Sequence, residues 1–464
     1  MWMIRDRSFY KRLFFLAAPL ALQNVITFSV SLADNMMVGS LGELPLSAVF
    51  VTNQIQSLLH MLVMGLSAAL IVLASQYWGS RDQQKVQLIV GIALRFGMGA
   101  ASLFLLATLF LPHQILRLFT DDLAVIDAAM PYLSILRWTY LFFCLTQILL
   151  ASMRCVETVK IALYLSVITF VVNISLNWVL IFGNLGFPAL GLRGAAIATL
   201  IARVMETVVI VIYVALIDKR LQLKLSSFFR RDKLLARRFF RYGFPVILGD
   251  ITWGINIAVQ GAIIGRLGAT ALASVSIANV IFHMVGVAAF GTAGASAIII
   301  GQAVGSGDIA RVKQYARTLQ GVFLMVGVVS GLTLFLVRDP ALSLYQLEPD
   351  TLVMARQLLT VMSVMIVGTS YQMASLTGIV RAGGATHFVL VHDLFWIWGF
   401  VMPSALIAAF VFQASPVIVF ALLKSDQILK CFVAVFKVNR FRWIKNLTTA
   451  ETSIKKAAVK AVSS

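Results

Sequence analysis

The sequence predicts an all-α membrane protein with twelve transmembrane helices, and its composition gives the first reason. Of its 464 residues, 60% are apolar and only 12% are charged, and the mean hydropathy is +0.92. A soluble globular protein contains about 45–50% apolar and about 25% charged residues. A water-soluble domain, a disordered chain and a coiled coil are therefore excluded, because only lipid can cover this much apolar surface.

The second reason is the spacing of the apolar segments. A transmembrane helix needs about 20 apolar residues, and twelve runs of this length or longer follow one another. The runs are 13–38, 47–77, 87–112, 128–152, 160–182 and 193–217, then 242–265, 274–304, 318–337, 352–379, 386–412 and 415–436. Basic residues precede the first run, as in a signal peptide. However, the run is too long and no small-residue cleavage site follows it, so we interpret it as a span.

The third reason is the distribution of basic residues, which also orients the helices. The loops on one side of the twelve runs, together with both termini, carry 28 Lys and Arg residues, and the loops on the other side carry four. Basic residues remain on the cytoplasmic side of a membrane, so both termini are expected to be cytoplasmic. This asymmetry accounts for the net charge of +19 without a nucleic-acid partner. We expect a multi-pass membrane protein.

The chain contains an internal repeat. A shift of 226 residues superimposes nine Gly, Pro and polar residues without a gap. The pairs are Pro19 with Pro245, Gly39 with Gly265, Gly42 with Gly268, Asn53 with Asn279, Gly65 with Gly291, Gln76 with Gln302, Gly79 with Gly305, Ser80 with Ser306, and Asp82 with Asp308. Both copies run in the same direction across the membrane. Parallel repeats of this kind recur in secondary transporters, with the binding site between the halves.

The repeat sets the expected domain boundaries. We expect an N-terminal lobe of six helices at 1–217, a basic cytoplasmic linker at 218–241, a C-terminal lobe of six helices at 242–436 and a cytoplasmic tail at 437–464. Channels and membrane enzymes also contain repeats, so the architecture favours a transporter without excluding these two classes.

Asp34 is the first candidate for a functional residue. A charge at the bilayer centre costs about 2.5–3.5 kcal/mol on insertion scales and needs a reason to be there. Asp34 follows Pro19 by fifteen residues, which places it in the outer half of the first helix, and its repeat mate is Gln260. It is either a protonatable or cation-binding carboxylate or a structural hydrogen-bond partner to a nearby helix.

Other polar residues within the spans also have two interpretations. Asn173 and Asn177 are four residues apart and share one helix face, where amides either coordinate a cation or join helices. Asp250, near the start of the seventh helix, is either functional or paired with an Arg at the interface. His392 and Asp393 lie near the start of the eleventh helix, where an interfacial pair is a simpler explanation than a proton relay.

Two further charged pairs are interpreted as structural. Lys424 and Asp426 are two residues apart on the twelfth helix and cannot face each other, so a partner elsewhere is expected. Arg203 and Glu206 are spaced i, i+3 on the sixth helix, and we expect a self-contained ion pair.

The sequence lacks the motifs of several enzyme classes. It contains no phosphate-binding GxxxxGK[ST], no HExxH and no nucleophile elbow, and its three cysteines are scattered. We therefore expect neither an enzyme nor an ATP-driven pump, and no cofactor other than a coupling ion. Energy for uphill movement would come from an ion gradient.

Four segments resemble the multidrug and toxic compound extrusion (MATE) transporters, in particular the bacterial DinF-like branch. They are PLALQNVITFSVSLADNMMVGSLG at 19–42, GNLGFPALGLRGAAIAT at 183–199, FPVILGDITWGINIAVQGAIIGRLG at 244–268 and RAGGAT at 381–386. Each segment alone is a weak signal, whereas the combination is specific and covers nearly the whole chain. The resemblance implies two six-helix lobes around a central cavity, and export of cationic or amphipathic organic compounds in exchange for H⁺ or Na⁺. It also implies a location in the bacterial inner (plasma) membrane.

The resemblance also implies roles for residues of the N-terminal lobe. Asp34 matches the coupling acid on helix 1, Asn173 matches an Asn on helix 5, and Thr199 matches a Thr on helix 6. Asn177 stands where these relatives have an Asp, and the missing carboxylate weakens a Na⁺ site near Asp34 and favours H⁺. Neutralisation of Asp34 is expected to let helix 1 bend at Pro19 and to weaken substrate binding.

In the C-terminal lobe, the acids used by other members of the family have few counterparts. Asp250 is the counterpart among the candidates for the ion or substrate site, with Asp393, His392 and Gln260 as weaker candidates. No metal other than Na⁺ near Asp34 is expected.

Rival functions remain open. A flippase for a lipid-linked oligosaccharide or another lipid belongs to the same superfamily and would concentrate Arg and Lys in its cavity. The spans contain only scattered basic residues: Arg95, Arg137, Arg203, Lys424 and Lys430. An ion channel or an intramembrane enzyme is a different class. We expect a monomer surrounded by membrane lipid that binds small cationic or amphipathic organic substrates.

Overall fold

The computed structural model describes residues 4–223, 228, 230, 232–345 and 347–448. Within these ranges the chain is helical and contains no β-strand. Helix α1 (Arg7–Gly39) begins directly after Asp6, whose carboxylate accepts hydrogen bonds from the hydroxyl (2.6 Å) and the backbone N–H (2.8 Å) of Ser8. These hydrogen bonds lower the pKa of the Asp6 carboxyl and provide a partner for an N–H group of the first helical turn.

The described residues include ten single helices that are long and apolar enough to cross a membrane. All helices, in chain order, are α1 (Arg7–Gly39), α2 (Glu43–Gly79), α3 (Gln83–Phe110), α4 (Pro112–Arg117), α5 (Leu123–Leu136), α6 (Thr139–Cys155), α7 (Lys160–Phe182), α8 (Leu192–Ile217), α9 (Lys233–Gly265), α10 (Ala269–Gly305), α11 (Ile309–Leu342), α12 (Pro349–Arg381), α13 (Thr386–Phe410), α14 (Pro416–Leu423) and α15 (Asp426–Asn439). Short π-helical stretches lie within three of them: Tyr213–Ile217, Ala374–Arg381 and Ile397–Val401.

The predicted all-α membrane fold is confirmed. The described residues contain ten single span-length helices, and an eleventh span if α5 and α6 are counted together, whereas the last predicted run is not one span-length helix. α5 and α6 together form one span that is bent by 50°. At the bend, the N–H of Trp138 donates to the carbonyl of Ile135, three residues back instead of four, which tightens the backbone locally. The predicted run 415–436 consists of the short helices α14 and α15, which are separated by residues 424–425. The helix ends also extend beyond the apolar runs, since α1 starts at Arg7 and not at residue 13.

The contacts within the chain define two compact units. Unit 1 comprises residues 1–21, 71–82 and 244–464, and unit 2 comprises residues 22–70 and 83–243. These units divide the chain differently from the predicted lobes, because the start of α1 and the end of α2 join the C-terminal part of the chain. The lobe boundaries, which were derived from the sequence repeat, therefore stay a prediction.

Each unit has its own apolar core. In unit 2, side chains of α1, α2, α5, α7 and α8 form a cluster that includes Val38, Val49, Leu136, Ile181 and Ala196. Val38 follows Asp34 by one helical turn, and Ile181 follows Asn177 by one turn, so this cluster packs beside the predicted site. In unit 1, the core is built from α9, α10, α12, α13 and α14 together with the end of α11.

The ends of α2 and α10 cross within unit 1 through glycine contacts. A Cβ atom on Gly79 would lie closer than 3.0 Å to the backbone oxygen of Gln302, and one on Gly305 would lie closer than 3.0 Å to that of Gln76. In the repeat, Gly79 corresponds to Gly305 and Gln76 corresponds to Gln302. The two close contacts are therefore related to each other by the repeat. Arg12 adds a hydrogen bond of 2.5 Å from its Nη2 to the side-chain Oε1 of Gln302.

Residues 441–448, in the predicted tail, pack against the same part of unit 1. Trp443 is fully buried, and its ring lies directly on Gly383. The backbone N–H of Leu447 donates to Oε1 of Gln76 at 2.9 Å. This part of the tail therefore belongs to the packed structure, and residues 449–464 lie outside the described residues.

Candidate functional site

A chain of polar side chains connects α1 and α7 in unit 2. The side-chain Nδ2 of Asn177 donates to Oδ1 of Asp34 at 2.6 Å and approaches Oδ1 of Asn173 at 3.3 Å. One amide therefore contacts both of the other predicted residues. The i, i+4 spacing on α7 places both asparagines on the face that meets Asp34.

The asparagines are buried, and one of their oxygen atoms is unused. Asn173 is 3% exposed and Asn177 is 2% exposed, while Asp34 is only half-buried. The Oδ1 atom of Asn177 has no hydrogen-bond partner among the described residues, and neither does the hydroxyl of Thr169, one helical turn before Asn173. Thr169 was not among the predicted residues, although its spacing from Asn173 would have identified it. A buried acceptor without a donor is costly, so these two atoms are the unsatisfied positions beside Asp34 among the described residues.

Arg203 on α8 contributes a positive charge to this site. It forms the predicted ion pair with Glu206, with 2.8 Å between Nη1 and Oε2, and its guanidinium lies 5.3 Å from the ring centroid of Phe143. The predicted pair is therefore present, and Arg203 also lies within electrostatic range of Asp34. Arg203 was missed as a site residue because its nearby Glu206 explained its charge.

Thr199 lies one helical turn before Arg203 on α8. Its hydroxyl donates to the backbone carbonyl of Ala195 in the same helix at 3.0 Å, and not to Asp34. The structure therefore does not bring Thr199 into the hydrogen-bonded group, and its match to the family's helix 6 Thr stays a prediction.

Asp250 forms an ion pair in unit 1. Its Oδ1 atom lies 3.0 Å from Nη1 of Arg381, and the two side chains are 27% and 18% exposed respectively. Arg381 is the first residue of the RAGGAT segment. Of the two interpretations of Asp250, this contact supports pairing with an arginine.

Gln260, the repeat mate of Asp34, has a different environment. Its Oε1 accepts a hydrogen bond from Nζ of Lys424 at 2.9 Å, and its Nε2 donates to Oδ1 of Asn256 at 3.1 Å. Lys424 thus contacts a residue of α9. This agrees with the expectation that Lys424 has a partner other than Asp426. The two equivalent positions of the repeat therefore have different partners, a neutral amide at Asp34 and an ammonium group at Gln260.

His392 and Asp393 lie next to Lys430 in unit 1. The Nζ atom of Lys430 is 2.8 Å from Oδ1 of Asp393, and Nδ1 of His392 is 3.7 Å from the same oxygen. The expected local pair is therefore part of a larger group that includes a lysine of α15.

Pro19 lies within α1, and the helix continues through it. The ring is buried, and the division between the two units falls two residues later, after Ala21. A proline inside a helix removes one backbone hydrogen bond. This position is therefore suited to bending, which stays a prediction.

Comparisons with known proteins identify the family. The MatE family model matches residues 19–179 and 245–407. The two matched segments begin at Pro19 and Pro245, which are 226 residues apart, in agreement with the repeat. The chain is also similar to a probable multidrug resistance protein of Bacillus subtilis, YoeA, with 27% identity over 86% of this chain and 87% of the relative.

Solved structures agree on the fold. The VcmN MATE transporter of Vibrio cholerae in its bent form has a TM-score of 0.83 and 19% identity, covering 93% of this chain and 97% of that chain. A MOP superfamily transporter from Pyrococcus furiosus, described as having a reversed binding-pocket polarity that suggests a different function, has a TM-score of 0.83 and 18% identity, covering 93% and 95% of the two chains. With its family match and its polytopic helical fold, the chain belongs to the MatE family, the MATE multidrug efflux transporters.

Proposed function

We propose that this protein is an antiporter that exports cationic or amphipathic organic compounds in exchange for protons, and that Asp34 binds both in turn. The observation that carries the proposal is the contact between Asp34 and the Asn177 amide inside the membrane-spanning part of unit 2. A carboxylate in this place can be neutralised by a proton or paired with a cation. The name of the Bacillus subtilis relative supports multidrug substrates.

The Asn177 amide suits both charge states of Asp34. When Asp34 is ionised, it accepts the N–H of Asn177, as observed. When Asp34 is protonated, it has an O–H donor, and the Oδ1 atom of Asn177, which has no partner among the described residues, can accept it after a rotation of the amide. An Asp at position 177 would lack the N–H donor and would repel an ionised Asp34. The asparagine is therefore suited to a carboxylate that gains and loses a proton.

Antiport follows from competition for one carboxylate. A protonated Asp34 no longer attracts a cation, so proton uptake from outside promotes substrate release outside. Proton release to the cytoplasm restores the charge that attracts the next substrate. Proton and substrate need only favour different conformations for exchange to occur. In this proposal the protein lies in the bacterial inner membrane, with its Lys- and Arg-rich loops on the cytoplasmic side.

Protons are favoured over Na⁺ by the composition of the site. Na⁺ is a hard cation, and such cations prefer carboxylate and carbonyl oxygens as ligands. The N–H of the Asn177 amide is directed at Asp34, and the positive charge of Arg203 lies nearby. Both groups oppose the binding of Na⁺ to this carboxylate. Neither neighbour prevents a proton from binding to the carboxylate oxygen.

The basic residues within the spans do not favour the lipid flippase. Each of the five basic residues noted in the spans has a protein partner. Two arginines donate hydrogen bonds to backbone carbonyls: Arg95 to those of Phe228 and Arg230, and Arg137 to that of Thr108. Arg203 forms an ion pair with Glu206, and Lys430 forms ion pairs with Asp393 and Asp426. Lys424 donates a hydrogen bond to the side chain of Gln260. These partners reduce the positive charge available to a pyrophosphate group.

The test is transport by the purified protein in liposomes. Ethidium movement would be followed by fluorescence under a pH gradient alone and under a Na⁺ gradient alone, for the wild type, Asp34→Asn and Glu43→Gln. Glu43 is an exposed carboxylate at the start of α2 and serves as the matched control. We expect movement driven by the pH gradient, at least a tenfold loss in Asp34→Asn, and wild-type rates in Glu43→Gln. Movement with Na⁺ alone would exclude proton coupling, and equal rates in all three proteins would exclude Asp34 as the coupling residue.

A further inference from the structure

A cluster of basic side chains lies in unit 1, where the start of α11 meets the end of α15. This basic cluster consists of Lys313, Arg317, Lys437, Arg440, Arg442 and Lys445. All six are exposed except Lys437, which is half-buried. None of them forms an ion pair with a carboxylate among the described residues, whereas the neighbouring Arg311 pairs with Asp308. The cluster therefore carries positive charge that the described part of the chain does not neutralise.

The ring of Phe441 joins the two segments that form the basic cluster. The Nζ atom of Lys313 lies 5.5 Å from the ring centroid, and the guanidinium carbon of Arg317 lies 5.3 Å from it. Cations at this distance from an aromatic ring are attracted to it. Phe441 directly follows Arg440 and directly precedes Arg442, so four of the six cations lie around one ring.

The backbone that carries the other basic residues is held in place by the packed part of the tail. Trp443 is fully buried against Gly383, and the backbone N–H of Lys445 donates to the carbonyl of Gly383 at 2.8 Å. Lys445, Arg440 and Arg442 all act on Lys437 as like charges. The folded chain therefore holds several cations close together although they repel one another.

A phosphate group suits this arrangement of cations. Its oxygen atoms accept several charge-assisted hydrogen bonds at once, and arginine binds them in a bidentate manner. An anion placed among the cations would also offset their mutual repulsion. The basic cluster is therefore matched to a phosphate-bearing ligand.

Exposed apolar side chains lie beside the basic cluster on the same two helices. The side chains of Gln320 on α11 and Asn439 on α15 meet there, and Nδ2 of Asn439 donates to Oε1 of Gln320 at 3.2 Å. Residues spaced by three, four or seven positions from these two share their helix faces. Further along the helices, away from the basic cluster, the exposed apolar residues on these faces are Leu324, Val328, Phe432 and Val435. A ligand on this face would thus meet positive charge at one end and apolar surface at the other.

We propose that this face of unit 1 binds a phospholipid with a net negative headgroup. The phosphate lies at the basic cluster, and the acyl chains lie along the exposed apolar side chains of α11 and α15. Basic clusters at the ends of membrane-spanning helices attract anionic headgroups. A free phosphate ion or a nucleic acid would use the cations but not the apolar surface next to them. Lipid binding here goes beyond the proposed function, because it does not require that the protein transports anything.

The test is native mass spectrometry of the full-length protein with an equimolar mixture of phosphatidylglycerol and phosphatidylcholine that have the same acyl chains. The ratio of the two lipids among the first lipids bound measures the preference, and we expect the wild type to favour phosphatidylglycerol at least tenfold. Lys313→Gln combined with Arg317→Gln should remove most of this preference, since each basic residue near an anionic surface contributes about fivefold. Lys233→Gln combined with Arg237→Gln is the matched control. It removes an exposed Lys and an exposed Arg with the same spacing at the start of α9, and it should keep the wild-type preference.

A second variant tests the other segment of the basic cluster. Arg440→Gln combined with Arg442→Gln should also remove most of the preference, and either variant suffices if the other does not fold. An unchanged preference in the cluster variants would overturn the proposal. So would an equal loss in the α9 control, which would show an effect of net charge alone. Displacement of the bound lipid by inorganic phosphate or by short single-stranded DNA would also overturn it, because the acyl chains would then contribute nothing to binding.

Discussion

Replacement of Gly305 by Ala is expected to destabilise unit 1, because it adds a methyl group where α2 and α10 cross. The new Cβ atom would lie closer than 3.0 Å to the backbone oxygen of Gln76, at least 0.4 Å short of the 3.4 Å at which ordinary contact begins. A side chain could rotate away from this overlap, but a backbone carbonyl within a helix cannot. The two helices must therefore move apart.

Two opposing contributions determine the size of the effect. Ala is more favourable than Gly in a helix interior by about 0.8–1.0 kcal/mol. Because Gly305 is the last residue of α10, the substitution gains little of this helix propensity. Overpacking costs about 1–3 kcal/mol, so the free energy of unfolding should fall by about that amount. Gly286 offers a matched control within α10, because its Cβ atom would meet only the Phe290 side chain, at 3.6 Å, and the Ile366 side chain, at 3.8 Å. Gly286→Ala should therefore be neutral or stabilising.

The assay is thermal unfolding of the purified protein in detergent, followed by tryptophan fluorescence. Gly305→Ala and the repeat-related Gly79→Ala should both melt below the wild type, whereas Gly286→Ala should not. The double variant of Gly79 and Gly305 should lose less than the sum of the single losses, because one separation of the helices relieves both overlaps. Equal melting temperatures for Gly305→Ala and Gly286→Ala would refute the reasoning.

Three further predictions concern packing, ion pairing and the site. Trp443→Ala should lower the free energy of unfolding by about 3–5 kcal/mol, since the side chain is fully buried, whereas Trp253→Ala should change it little because Trp253 is 52% exposed; melting temperatures of the two variants test this. Arg381→Ala should cost about 1–3 kcal/mol by leaving Asp250 without its counter-charge in a half-buried place, and a double-mutant cycle should show that removing Asp250 as well recovers part of the loss. Asn177→Asp adds a second carboxylate beside Asp34 and should make ethidium transport respond to Na⁺, which the liposome assay measures directly; a variant that remains driven by the pH gradient alone would contradict this.

The sequence was sufficient to predict the helices and one cluster of the site. Span-length apolar runs are required by the thickness of the bilayer, so the number of spans could be counted. The contact of Asn177 with both Asp34 and Asn173 was anticipated from the i, i+4 spacing and from the resemblance to the family. The bend between α5 and α6 was not, because a local change of hydrogen-bond pattern leaves the apolar run uninterrupted.

Contacts between distant residues could not be predicted in the same way. Asp250 and Arg381 are 131 residues apart, and Lys430 meets Asp393 from another helix. Spacing along one helix identifies which side chains share a face, but not which face of another helix they meet. Trp443 was also missed, since one aromatic residue within a basic, polar stretch gives no periodic signal.

The two halves of the repeat retain their small residues and differ in their charged ones. Gly79 and Gly305 make equivalent close contacts, because a helix crossing at this distance leaves no room for any side chain. Asp34 and Gln260 occupy equivalent positions in the sequence, yet one accepts an amide N–H and the other accepts the ammonium group of Lys424. An acid at position 260 would form a fixed ion pair with that lysine and would not exchange its partner. An amide at position 34 could neither bind a proton nor attract a cation. The repeat thus preserves the crossing in both copies, while the carboxylate of this pair is found only in unit 2.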